Sequence, residues 1–169
     1  MARIDLPEGD GLDVMKAFAL RPELSAGANA YDQAVWNSTL DWRLHELVRM
    51  RVAQINQCTV CLSWRTPQAQ AAGITEELLA NVHRASEEAG FTAAEVVAID
   101  YAAQFATDSA GISDTFMKEL GQHFDSGEIV ELTLVIGKYL ALGRFMQVLG
   151  LDQACNLQFD DSGTVVATA

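Results

Sequence analysis

A chain of 169 residues is long enough for one domain with a real core, since a domain of about 150 residues buries roughly 68–70% of its unfolded surface. Half of the residues are hydrophobic, which excludes disorder over most of the length. The net charge of −12, from 23 acidic against 11 basic side chains, excludes the basic stripe that nucleic-acid binding needs and repels an anionic membrane surface.

In chain order, residues 1–10 hold no apolar run of signal-peptide length and read as a loose end. Pro22 suits a first helical position and opens a helix over 22–36. Residues 41–56 place Leu44, Leu47, Val48, Val52 and Ile55 on one stripe of a second helix, with Arg43, Glu46 and Arg49 elsewhere around it. A third runs from Cys58 to Ala72, ended by Gly73. Thr75 caps a fourth, which carries Glu76 and Glu77 in its first turn and stops at Gly90. Thr92-Ala93-Ala94-Glu95 is a capping box opening 93–107, and Ser113 or Asp114 opens a short helix to about Phe124. Asp125-Ser126-Gly127-Glu128 has the spacing of a second box, ahead of a long helix over 127–149 that ends at Gly150.

That last helix contains the most apolar segment of the chain, but Glu131, Lys138, Arg144 and Gln147 interrupt it. A bilayer span needs about 20 mostly apolar residues, so it reads as a buried core helix, and the expected location is the cytosol. Its apolar residues surround much of the circumference, which calls for cover from a neighbouring subunit. Period-two alternation is confined to Thr164–Val166 in an otherwise loose tail over 152–169. The fold expected is all-α: one helical domain over 1–169, of about seven helices, assembling as a homo-oligomer.

Cys58 and Cys61 form a Cys-x-x-Cys pair. Three-residue spacing on a helix brings side chains to one face, within the roughly 4.4–6.8 Å Cα separation that a disulfide spans. In a reducing compartment such a dithiol points to catalysis or sensing. Zinc would need four ligands, whereas Cys155 is distant and His45, His83 and His123 are scattered, so no metal is expected. A thioredoxin fold would need a βαβ context that the helical flanks deny. The remaining alternative is a pair of small buried hydrophobes. Arg65 follows Cys61 by four residues, so on a continuous helix its guanidinium would favour a thiolate on the same side. Trp36, Trp42, Trp64 and Phe91 read as core or interface aromatics, Cys155 as a lone packing thiol.

The stretch Glu46-Leu47-Val48-Arg49-Met50-Arg51-Val52-Ala53-Gln54-Ile55-Asn56-Gln57-Cys58-Thr59-Val60-Cys61 resembles the core of the carboxymuconolactone decarboxylase and alkylhydroperoxidase D (AhpD-like) superfamily. The similarity continues through Ala71–Glu77 and Phe91–Glu95, covering about 40–107 well and 127–149 loosely. What the resemblance implies is an all-helical homotrimer or homohexamer, without bound cofactor, reducing hydroperoxides and reset by an external dithiol. By position, Cys61 would be the peroxidatic thiol, Cys58 the resolving one and Glu46 the acid–base partner. The family's histidine four residues after the second cysteine is Arg65 here, and the position of an intervening histidine falls in Thr59-Val60. In one straight helix Glu46 and Cys58 would stand about 18 Å apart, so the relay needs a chain reversal near Asn56. Two other functions fit the sequence: a decarboxylase-type enzyme working through Glu46, His45 or Arg49 without the cysteines, and a non-enzymatic helical oligomer whose dithiol responds to redox state.

Overall fold

A computed structural model describes residues 1–151, 157–159 and 165–167. Cys155 and Thr164 lie outside the described residues. Nine α-helices occur among those described: α1 Asp13–Ala19, α2 Pro22–Trp36, α3 Trp42–Asn56, α4 Thr59–Ser63, α5 Pro67–Ala71, α6 Glu76–Asn81, α7 Ala93–Thr107, α8 Asp114–Leu120 and α9 Ser126–Leu149. In the tail, β1 Leu157–Phe159 pairs antiparallel with β2 Val165–Ala167, Gln158 opposite Val166. The all-α expectation holds for the body of the chain, and the short ribbon adds to it.

The frame is α3 packed against both α7 and α9. Val48, Val52, Ala98, Ala102, Leu132 and Ile136 bring the three helices together in one apolar core. A second core sets Leu47, Met50 and Ile99 against Leu79, Val82 and Phe91. Local signals place the ends of the frame helices. Asp41 caps α3 by accepting from the Arg43 and Leu44 amides, 2.9 and 3.3 Å. Thr92–Glu95 and Asp125–Glu128 both close as reciprocal capping boxes. Arg43 Nε also donates to Glu95 at 2.6 Å, which ties the start of α7 to α3.

Two expected helices are broken. The segment from Cys58 to Ala72 is α4 and α5 separated by extended residues, because Pro67 disfavours the helical region for the residue before it. Thr66 is instead extended and caps α5 through its hydroxyl, 2.9 Å from the Ala69 amide. Beyond α6 the chain forms two 3₁₀ turns, Val82–Arg84 and Glu87–Ala89, in place of helix to Ala89. Ser86 caps the second turn, an alternative hydrogen bond that ends the longer helix. Helix α1 has no counterpart in the sequence reading. The N-terminal stretch, expected loose, is tied down where the Arg3 amide donates to Leu149 O at 2.8 Å. Among the described residues no helix is long and apolar enough to cross a membrane.

Candidate active site

The site begins at the end of α3. Gln57 adopts the left-handed conformation, φ +52°, alone among described non-glycine residues. Its amide donates to Gln54 O at 3.2 Å and the Cys58 amide to Ala53 O at 3.2 Å, the two bonds of a Schellman motif. Asn56, buried on the last turn, donates from Nδ2 to Tyr139 O at 3.1 Å and Leu140 O at 3.4 Å, which anchors the turn to α9. The chain therefore reverses at Asn56–Gln57, and α4 returns along α3. This is the reversal without which Glu46 and the cysteines would stay far apart.

Cys58 and Cys61 are joined by a disulfide, with Cα atoms 5.3 Å apart. Cys58 precedes α4 as its cap, and its sulfur accepts from the Cys61 amide at 3.3 Å. Burial separates the two sulfurs: Cys58 is fully buried, whereas Cys61 is partly exposed. A reagent from solvent meets Cys61 first, and Cys58 stands behind it.

Glu46 is not a solvated helix-face carboxylate. Its side chain and that of Arg49 are each 1% exposed and form a bidentate pair, Nε–Oε2 2.7 Å and Nη2–Oε1 2.6 Å. The same guanidinium donates from Nη1 to Cys61 O at 2.7 Å and from Nη2 to Trp64 O at 3.1 Å. Its carbon lies 5.2 Å from the Trp64 ring centre. Burial works against the charge on Arg49, but the Glu46 hydrogen bonds and charge outweigh it and hold the guanidinium pKa above its ordinary value. Arg49 thus connects the carboxylate to the backbone of the cysteine helix.

Arg65 lies beyond the end of α4, so the shared helical face expected for it with Cys61 does not form. Its guanidinium makes a bidentate pair with Glu76, 2.7 Å for each bond, and donates to Leu62 O and Trp64 O at 2.7 and 2.6 Å. That pairing holds the Glu76 carboxyl below its usual range.

His45 and Lys138 are buried within a partly buried aromatic cluster that the sequence did not disclose. His45 Nε2 and Tyr139 Oη are 2.9 Å apart, and the His45 ring stacks on Trp42 at 4.9 Å between centres. Trp36 meets Trp42 at 5.5 Å and Trp64 edge-on at 5.3 Å. Lys138, 4% exposed, pairs with Asp32 at 2.5 Å and sits 3.8 Å from the Tyr139 ring centre. Burial, then the charges of Lys138 and Arg49, push the His45 pKa down to about 4, which leaves the ring neutral at neutral pH. Burial also raises the Tyr139 hydroxyl well above its ordinary range. His83 and His123 are exposed. Among the described residues no group of three or more acidic, histidine or cysteine side chains is placed to hold a metal.

The model of the Carboxymuconolactone decarboxylase family matches residues 22–104. The uncharacterized protein YdfG of Bacillus subtilis (strain 168) is 25% identical over 114 residues, 67% of this chain and 78% of YdfG. Among solved structures, an uncharacterized peroxidase-related protein from Silicibacter sp. TM1040 superposes with a TM-score of 0.73 at 22% identity, covering 88% of this chain and 90% of that one. ATU0492 of Agrobacterium tumefaciens, a protein of unknown function, does so with a TM-score of 0.70 at 22% identity, covering 89% and 96%. At such identity the likeness to the two structures is one of fold.

Proposed function

We infer, from the membership of this chain in the carboxymuconolactone decarboxylase and alkylhydroperoxidase D superfamily, that it is a thiol-dependent oxidoreductase reducing hydroperoxides through Cys58 and Cys61. The observation that carries the reading is the bridged pair itself, with a partly exposed Cys61 backed by a fully buried Cys58.

In the reductive half, the Cys61 thiolate attacks a peroxide oxygen, the O–O bond breaks, and the departing alkoxide or hydroxide takes up a proton. Cys61 is left as a sulfenic acid. Cys58 sulfur then attacks Cys61 sulfur, water leaves, and the bridge forms. An external dithiol attacks the accessible Cys61 sulfur and expels Cys58 as thiolate; its second thiol then attacks the mixed disulfide, releasing Cys61 and leaving the reductant as a disulfide. The Cys61 amide, 3.3 Å from Cys58 sulfur, is placed to receive the charge of the Cys58 thiolate. Glu46 takes the acid–base role that the resemblance assigns it. Both of its oxygens are held by Arg49, so proton transfer to it requires one of these bonds to open. Arg65, engaged by Glu76 and two carbonyls, contributes positive charge beyond α4 and no transferable proton.

Assembly belongs to the same reading. Leu24 on α2 and Val130, Leu134 and Val148 on α9 are between 51% and 75% exposed, and a groove of about 650 Å³ between Tyr31, Val35, Val130 and Leu134 is open to solvent. Such exposed apolar residues favour self-association, for which the resemblance implies a homotrimer or homohexamer. Replacing Cys61 with Ser tests the catalytic assignment: hydroperoxide consumption in the presence of a dithiol is expected to vanish, and unchanged consumption contradicts it. Turnover of a γ-carboxymuconolactone by the Cys58→Ser/Cys61→Ser protein would instead favour the decarboxylase reading.

A further inference from the structure

Arg49 lies in the chain before either cysteine and touches neither sulfur, yet it holds the helix that carries them. Three of its nitrogens make four hydrogen bonds: two to the Glu46 carboxylate and one each to the carbonyls of Cys61 and Trp64. Those carbonyls belong to the second cysteine and to the residue closing α4, so one guanidinium fixes the far end of the turn that Cys58 begins. The near end is fixed independently by the Schellman turn and by Asn56 on α9. A helix of five residues has too few internal bonds to hold its own position. Its geometry therefore comes from these two attachments, together with Leu62 packed against the second apolar core. Glu46 orients the planar fork of Arg49, and burial keeps water from competing for it.

We propose that Arg49 is a positioning residue for the redox pair: by tethering α4 to α3 it keeps Cys61 within bonding reach of Cys58 in the reduced protein and so favours closure of the disulfide. An unanchored α4 samples arrangements in which the sulfurs are apart, and each lowers the effective concentration of one thiol at the other. The proposal concerns a pair that cycles, as in the function above, but its test needs no peroxide. Reduction by dithiothreitol supplies the balance: two hydrogens pass to Cys58 and Cys61, and the reagent closes to its cyclic disulfide.

The experiment is the equilibrium fraction of bridged protein across ratios of reduced to oxidised dithiothreitol, for wild type, Arg49→Lys and Arg43→Lys. A lysine ammonium cannot hold two carboxylate oxygens and two separate carbonyls at once. Arg49→Lys is expected to shift the equilibrium roughly tenfold toward the dithiol, which is about 30 mV for a two-electron couple. Arg43→Lys weakens a different ion pair of α3, with Glu95, and is expected to stay within twofold of wild type. An Arg49→Lys equilibrium within twofold of wild type overturns the proposal, as does an equal shift in Arg43→Lys, which would reduce the effect to general stability. Should Arg49→Lys fail to fold, hydrogen exchange at Arg49 Nη1, the donor to Cys61 O, in the reduced wild-type protein decides. Protection supports the tether, and exchange as fast as at exposed Arg21 removes it. Wild-type protein that consumes no hydroperoxide, with the Arg49→Lys shift intact, would refute the function and leave the tether standing.

Discussion

The frame of α3, α7 and α9 and the stretch from Gln57 to Gly90 rest on different physics. The frame helices have 15, 15 and 24 residues and bury a shared apolar core. The stretch between α3 and α7 holds helices of five, five and six residues and two short 3₁₀ turns. Elements so short gain little from their own backbone bonds. They are held by caps at Cys58, Thr66, Thr75 and Ser86, by the guanidinium groups of Arg49 and Arg65, and by Leu79 and Val82 in the second apolar core. The frame supplies rigidity, and directional polar contacts place the cysteines upon it. A fault in the frame should therefore act on stability, and a fault in the tethers on chemistry.

The sharpest test of that division sets Leu132→Ala against Glu46→Ala. Leu132 is fully buried in the frame, and its truncation should cost about 2–5 kcal/mol in urea unfolding. The remaining folded protein should bridge its cysteines as wild type does. Glu46→Ala leaves a buried guanidinium without its carboxylate and should cost about 3–5 kcal/mol, with hydroperoxide turnover lost as well. Equal turnover in the two folded variants would erase the distinction.

His45 probes the frame, where α3 meets α9. Its folded pKa of about 4 lies below the unfolded value near 6.5, so between these values the unfolded chain binds more protons. Stability should thus be full above pH 6.5 and fall as the pH drops toward 4, by up to about 3 kcal/mol from this residue. Comparing urea midpoints at pH 7 and 4.5 for wild type and His45→Gln isolates it from the carboxylates, and the variant should show the smaller drop. An identical drop would mean that the buried ring is not the titrating group. The smallest effect belongs to a frame cap: Thr92→Ala removes a 3.2 Å bond to the Glu95 amide and should cost about 1 kcal/mol, with bridging unchanged.

Legibility in the sequence follows the same division. Capping boxes and the 3.6-residue stripe are local, so the frame helices could be placed from residues such as Thr92, Glu95, Asp125 and Glu128. The break before Pro67 is written in the chain too, since proline holds Thr66 out of the helical region, although Cys58–Ala72 reads as one helix up to Gly73. Within the site, the Cys58–Cys61 spacing was visible. The Glu46–Arg49 pair was visible only as a three-residue spacing off the apolar stripe of a helix. Its burial depends on the return of α4 along α3, and nothing local announces that except the need to end a helix before Cys58. His45 and Tyr139 are 94 positions apart, and their contact is a product of α3 packing on α9.

The central claim is that the Cys58–Cys61 pair is reactive as well as structurally placed. The most direct measurement takes fully reduced protein, adds one equivalent of an organic hydroperoxide, and follows the intact mass with peptide mapping. Rapid loss of two hydrogens is expected, located to a Cys58–Cys61 bridge, with a persistent single-oxygen adduct on Cys61 in the Cys58→Ser protein. Protein that keeps both thiols, while the hydroperoxide stays unconsumed, would contradict it.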